Sequence, residues 1–173
     1  MIPQFDIDVK GLEEQLGKLA QFDEISNRHL RRAMQESLLT VGSEVIPLVP
    51  VGVSARLKNS MGSNITETEP TLITGRFGSS LKDEIYPKVM EFGREPGKKQ
   101  PPTEALLRWV HLKIQPGEKD EMRVAFLIAR KIGRYGIKGK FFMKQGFEKA
   151  RPRIVHFFEL AKERILKDLE NGR

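Results

Sequence analysis

The chain contains no cysteine, which removes disulfides, thiolate zinc sites and a cysteine nucleophile together. Stability must come from packing, and a chain of 173 residues fits one domain of ordinary size that buries roughly 70% of the surface exposed on unfolding. No run of apolar residues approaches the length of about 20 that a membrane span needs. The segment Met1-Ile2-Pro3-Gln4-Phe5-Asp6 offers neither a basic leader nor an apolar core. These absences predict a chain with no membrane partner, made and kept in a cytosol. Histidine is scarce: His29, His111 and His156 lie far apart, and only His156 has a carboxylate, Glu159, at helical spacing. One such pair reads as a boundary histidine, so neither metal nor cofactor is expected.

The positive charge is concentrated. Net charge is +7, yet residues 1–122 hold 16 Lys/Arg against 18 Asp/Glu, whereas residues 123–153 hold ten against the single Glu148. The tail 154–173 has four of each sign. A block of this kind suits phosphate or an acidic protein face; the plain alternative is a solvated helix face.

Periodicity orders the rest. Gln4 to Val9 alternates polar and apolar, the period of a half-buried strand. Leu12, Leu16 and Leu19 recur at helical spacing and predict a short helix. From Ser26, read as an N-cap, Leu30, Ala33, Met34, Leu38, Val41 and Val45 mark one stripe of a longer helix closed by Pro47 and Pro50. Ser54 is a candidate cap for one turn through Leu57. Ser63–Thr68 and Thr71–Gly78 form a hairpin around Glu69-Pro70, with Ile73, Gly75 and Phe77 on one side. The segment Ile85 to Gly93 is expected to begin extended, since Pro87 pushes Tyr86 toward β geometry, and could end as a helical turn. Residues 94–102 hold no apolar side chain and predict an exposed loop. Helices are predicted from Thr103 to Leu112, from about Arg123 to Ile132, and from Phe141 to the end with a kink or restart at Pro152. The final helix carries the stripe Ile154, Phe158, Ala161, Ile165 and Leu169. Gly133, Gly136 and Gly139 predict a flexible basic loop between the last two helices. The fold class is α+β: N-terminal helices and a C-terminal helix packed on a small, mainly antiparallel sheet.

No constellation for catalysis emerges. Asp83, Glu84 and Glu91 could do acid–base work, but no nucleophile lies near them. The run Gly133 to Lys140 fails as a nucleotide loop, because Gly139-Lys140 is followed by Phe141 where Ser or Thr is needed and no strand precedes it. The chain reads as non-enzymatic. Arg130, Lys131, Arg134, Lys138, Lys140 and Lys144 form a basic interaction stretch, interleaved with Tyr135, Phe141 and Phe142. Such density favours phosphate contact without sequence readout. Phe142 and Phe147 also suit the apolar face of a helix.

Three segments together resemble one family. Val49-Pro50-Val51-Gly52-Val53-Ser54-Ala55-Arg56-Leu57-Lys58-Asn59-Ser60 looks like its "apolar-Pro-Val-Asp-Thr-Gly-x-Leu-x-x-Ser" segment, with Gly52-Val53-Ser54 departing from Asp-Thr-Gly. Ile85 to Gly93 resembles its "Tyr-x-x-x-Val-Glu-Phe-Gly" segment, and Gly139 to Met143 with the final helix resembles its "Arg-Pro-Phe-Leu" ending. The family is the tailed-bacteriophage neck or tail-completion (head–tail connector) protein of the type represented by the tenth gene product of phage HK97. The resemblance spans roughly residues 10–170, with residues 97–122 as an apparent insertion in a single domain, 1–173. It implies a structural virion protein, made in the host bacterial cytoplasm, that forms a homo-oligomeric ring at the head–tail junction and joins the connector to the tail tube. Its partners would be neighbouring connector and tail proteins first and genomic DNA in the lumen second. Tyr86, Glu91, Phe92 and Gly93 would then lie at a subunit contact; read from the residues themselves, Gly93 is expected in a conformation closed to other residues and Phe92 is expected to anchor the turn in the core. The rival reading is a stand-alone basic protein that binds nucleic acid without sequence specificity.

Overall fold

The computed structural model describes residues 5–7, 23–69, 72–82, 85–117 and 119–170. The predicted helix on Leu12, Leu16 and Leu19, the turn at Pro70 and the carboxylates Asp83 and Glu84 lie outside them. The chain divides into two compact units, one of residues 3–48, 61–80 and 143–173, the other of residues 1–2, 49–60 and 81–142.

The first unit is α+β, as expected. Strands β1 (Phe5–Ile7), β2 (Met61–Glu69) and β3 (Leu72–Ser79) form an antiparallel sheet in the order β1-β3-β2. Both neighbours of β3 share its register, Phe5 and Ser63 opposite Phe77, and Ile7 and Ile65 opposite Gly75. A register shift between Glu67 and Glu69 bends the tip of the β2–β3 hairpin. Alternate β3 residues Ile73, Gly75, Phe77 and Ser79 are buried, whereas Arg76 is exposed.

Helix α1 (Asp23–Val45) supplies the other half of this core. Its stripe Leu30, Ala33, Met34, Leu38, Val41 and Val45 is buried as the periodicity requires. Each Leu, Val or Met so placed contributes roughly 1.5–3 kcal/mol by leaving water. The thioether of Met34 occupies the space a side chain at Gly75 would fill. The hydroxyls of Ser37 and Thr40 donate back to the carbonyls of Ala33 and Glu36, at 2.7 and 2.8 Å, so burial leaves them satisfied. Ser26 is not the N-cap: the helix starts three residues earlier, and its hydroxyl is buried without a hydrogen-bond partner.

The C-terminal helix α6 (Phe142–Glu170) packs on α1 and runs through Pro152 without interruption. Phe142, Met143, Ala150, Ile154, Ala161 and Ile165 are its buried residues of apolar type, while Phe158 and Leu169 are half-buried. Contacts at both ends join the helices. His29 Nε2 meets Asp168 Oδ2 at 2.8 Å near the start of α1 and the end of α6. At the other end, a Cβ on Gly146 would stand 2.8 Å from Val45 Cα and 2.9 Å from its nitrogen.

The second unit is built from short elements: α2 (Arg56–Asn59), α3 (Ile85–Phe92), β4 (Gly93–Arg94), α4 (Glu104–Trp109), a π-helical turn (Val110–Ile114), α5 (Glu121–Tyr135) and β5 (Ile137–Lys138). Helix α2 is entered through Ala55 in the left-handed region rather than through a Ser54 cap. Residues 97–122 contain α4 and the π-turn, ended by Gln115 at φ 52°, and lead into α5.

Gly146→Ala is expected to destabilise the protein by about 1–3 kcal/mol, because overpacking against backbone outweighs the roughly 1 kcal/mol gained in helix propensity. Urea unfolding of the variant measures this; an unchanged or raised midpoint would contradict the close crossing.

Candidate assembly surface

Helix α3 starts at Ile85, not in an extended segment. Pro87 sits in its first turn, where the missing N–H would have had no helical partner, so the preference of the preceding residue for β geometry is overridden. Pro87 and Glu91, four residues apart, face inward and are buried. Ile85 and Phe92, seven apart, share the outer side at 74% and 60% exposure. Tyr86 is also exposed, and its hydroxyl lies beside Gly52. The expected roles of Glu91 and Phe92 are thereby exchanged. Glu91 is 1% exposed and belongs to the interior, while Phe92 does not anchor the turn.

Directly after α3 the chain meets the basic stretch. Strand β4 pairs antiparallel with β5, Gly93 opposite Lys138 and Arg94 opposite Ile137. Two further bonds extend the contact: Lys140 N–H donates to the Met90 carbonyl at 2.9 Å, and Phe141 N–H to the Glu91 carbonyl at 3.0 Å. Gly93 adopts φ 85°, and a Cβ there would lie 2.6 Å from the nitrogen of Gly139. A Cβ on Gly139 would in turn lie 2.6 Å from the Glu91 oxygen. The two backbones touch with no side chain between them. Gly133, Gly136 and Gly139 are therefore not a flexible loop. Gly133 lies inside α5, where its carbonyl accepts the Gly97 N–H at 2.8 Å, and Gly136 caps that helix at φ 69°.

The predicted residues fall on several elements. Tyr86, Glu91, Phe92 and Gly93 stand on α3 and β4, with Lys138 and Lys140 across the pairing. Arg130, Lys131 and Arg134 stand on α5, and Lys144 on the first turn of α6, 4.0 Å from Glu148. All ten Lys/Arg of residues 123–153 are exposed.

Sequence reasoning missed the apolar residues beside these cations. Met122, Phe126, Leu127 and Tyr135 are exposed on α5, whose buried residues are only Ala125 and Ala129. The signal was present, since α5 is apolar on more than one face, which a helix with a single partner does not need. Ile85 was missed because the helical period of α3 was obscured by Pro87.

His111 Nδ1 lies 2.6 Å from Glu121 Oε1, tying the π-turn to the start of α5. Among the described residues no three His, Asp or Glu side chains are grouped as metal ligands, and no helix is long and apolar enough to cross a membrane. The chain matches no known protein family, no curated protein and no solved structure.

Gly93→Ala and Gly139→Ala should each cost about 2 kcal/mol or more, through strain at positive φ or collision with backbone. Glu91→Lys should also lower the melting temperature, because a cation would enter a closed site. Thermal denaturation of the three variants checks this; near-parental stability for all of them would contradict the junction.

Proposed function

We propose that this chain is a structural, non-catalytic subunit of a tailed-bacteriophage head–tail junction, assembling into a ring that joins the connector to the tail tube in the virion. One observation carries the assembly reading. Of fifteen large apolar side chains left exposed among the described residues, twelve lie in the unit formed by residues 49–60 and 81–142. A surface of that kind is costly in water and marks a site that another protein covers. The resemblance of Val49–Ser60, Tyr86–Gly93 and Gly139–Met143 to the neck and tail-completion family supplies the kind of assembly. Within this reading Ile85, Tyr86 and Phe92 meet a neighbouring subunit, and Glu91 and Gly93 hold the turn that presents them.

The second reading, a nucleic-acid-binding protein, draws on the ten exposed cations of residues 123–153. Electron microscopy of the purified chain, paired with fluorescence anisotropy on a duplex of arbitrary sequence at low salt, separates the two. The assembly reading expects closed rings, and expects Phe92→Ser to remove them while shifting the melting temperature by no more than a few degrees. A monomer that binds duplex tightly, with affinity falling steeply as salt rises, would establish the rival instead.

A further inference from the structure

The outer side of α5 consists of two adjacent ridges at i, i+4 spacing. One is Met122, Phe126, Arg130 and Arg134; the other is Arg123, Leu127, Lys131 and Tyr135. All eight side chains are exposed, four are apolar or aromatic, four are cationic and none is acidic. None of the four cations makes an ion pair among the described residues. The ridges run about 18 Å along the helix at 1.5 Å per residue. With roughly 100 Å² left open on each half-exposed large side chain, the face approaches the scale of about 800 Å² per partner in a specific interface. Aromatic residues and arginine together are what the centre of a protein–protein contact contains.

This composition selects the partner. Duplex phosphate would meet the arginines but offers nothing to Met122, Phe126 and Leu127. The same face on a second copy would set four cations against four, so a two-fold contact is repelled. The mate must be a different surface, apolar and bearing carboxylates.

The chain carries one. In the unit containing α1 and α6, the exposed large apolar residues among those described are Leu39, Val155 and Leu166. Leu39 closes a shallow depression on α1 whose charged lining is mixed, Arg28, Arg31 and Arg32 with Glu24 and Glu36, so it offers no acidic face to the α5 cations. Val155 and Leu166 stand on one side of α6 with Glu159 and Glu163 between them, at spacings of four, four and three residues. Both carboxylates are exposed and form no ion pair among the described residues; Lys162 borders the face. From Val155 to Leu166 the stripe measures about 17 Å, close to the length of the α5 ridges.

We infer that the α5 face of one subunit docks on the Val155–Glu159–Glu163–Leu166 face of α6 in the next copy, forming the head-to-tail contact of the assembly. The inference rests on the ring reading above and names its contact. Two unlike, complementary patches on one chain are what a closed ring requires.

Charge reversal in the full chain tests it, read by native mass spectrometry with circular dichroism to confirm folding. Arg130→Glu/Arg134→Glu and Glu159→Arg/Glu163→Arg should each weaken assembly at least about tenfold. Mixing the two variants should restore it, because each then offers the other a complementary pair of faces. Assembly that survives either reversal, or fails to return on mixing, would overturn this pairing while leaving the ring reading intact. A parental chain that stays monomeric at every concentration would overturn the ring reading and the contact with it. A second arm uses the absence of cysteine: Leu127→Cys/Leu166→Cys should oxidise to a ladder of covalent multimers. Disulfide dimers from Leu127→Cys alone would show a two-fold contact and overturn the pairing.

Discussion

The second unit depends on one backbone-to-backbone contact, where residues 90–94 lie against residues 136–141. Two short strands pair there, and two more amide–carbonyl bonds continue the pairing as far as Phe141. Glycine at 93 and 139 is required because any side chain would stand inside the other strand's backbone. The consequence reaches both candidate groups. The end of α3 is fixed with Glu91 inside and Phe92 outside, and Lys138 and Lys140 are held at set positions beside it rather than carried on a mobile connector.

The proposed assembly would account for two kinds of exposed surface. Apolar side chains on α3, α4, the π-turn and α5 remain in water although α5 buries only two alanines. Evolution would lose little by making them polar unless a partner covers them. On α5 the cations Arg123, Arg130, Lys131 and Arg134 alternate with those residues, so in the proposed assembly the charge would select the sign of the partner and the apolar side chains would supply the affinity. In this account the basic stretch serves protein contact first and phosphate second.

Much of the first unit was legible from sequence. The stripe of α1 and the alternation of β3 are long, regular patterns, and the structure buries the residues they mark. Failures came where a local rule met a competing one. Ser26 has a capping side chain but lies inside a helix that begins at Asp23. Pro87 usually forces an extended predecessor, yet in the first helical turn it costs nothing. Glycines at 133, 136 and 139 have the composition of a flexible loop, and only the position of residues 91–94 shows that they are small for reasons of close approach. The inside–outside exchange of Glu91 and Phe92 follows from that helix and could not be read from a strand-like pattern. The complementary faces on α5 and α6 were hidden for another reason: charge counted along the chain averages Glu159 and Glu163 with the lysines and arginines that follow them.

Hydrogen exchange on the free chain tests the junction most directly. The amides of Lys140 and Phe141, which donate to Met90 and Glu91, should be protected to a degree comparable with the amides inside α5. Exchange of both at the rate of an open loop would contradict the account, because the basic stretch would then be untethered from α3 and its glycines would again be those of a flexible connector.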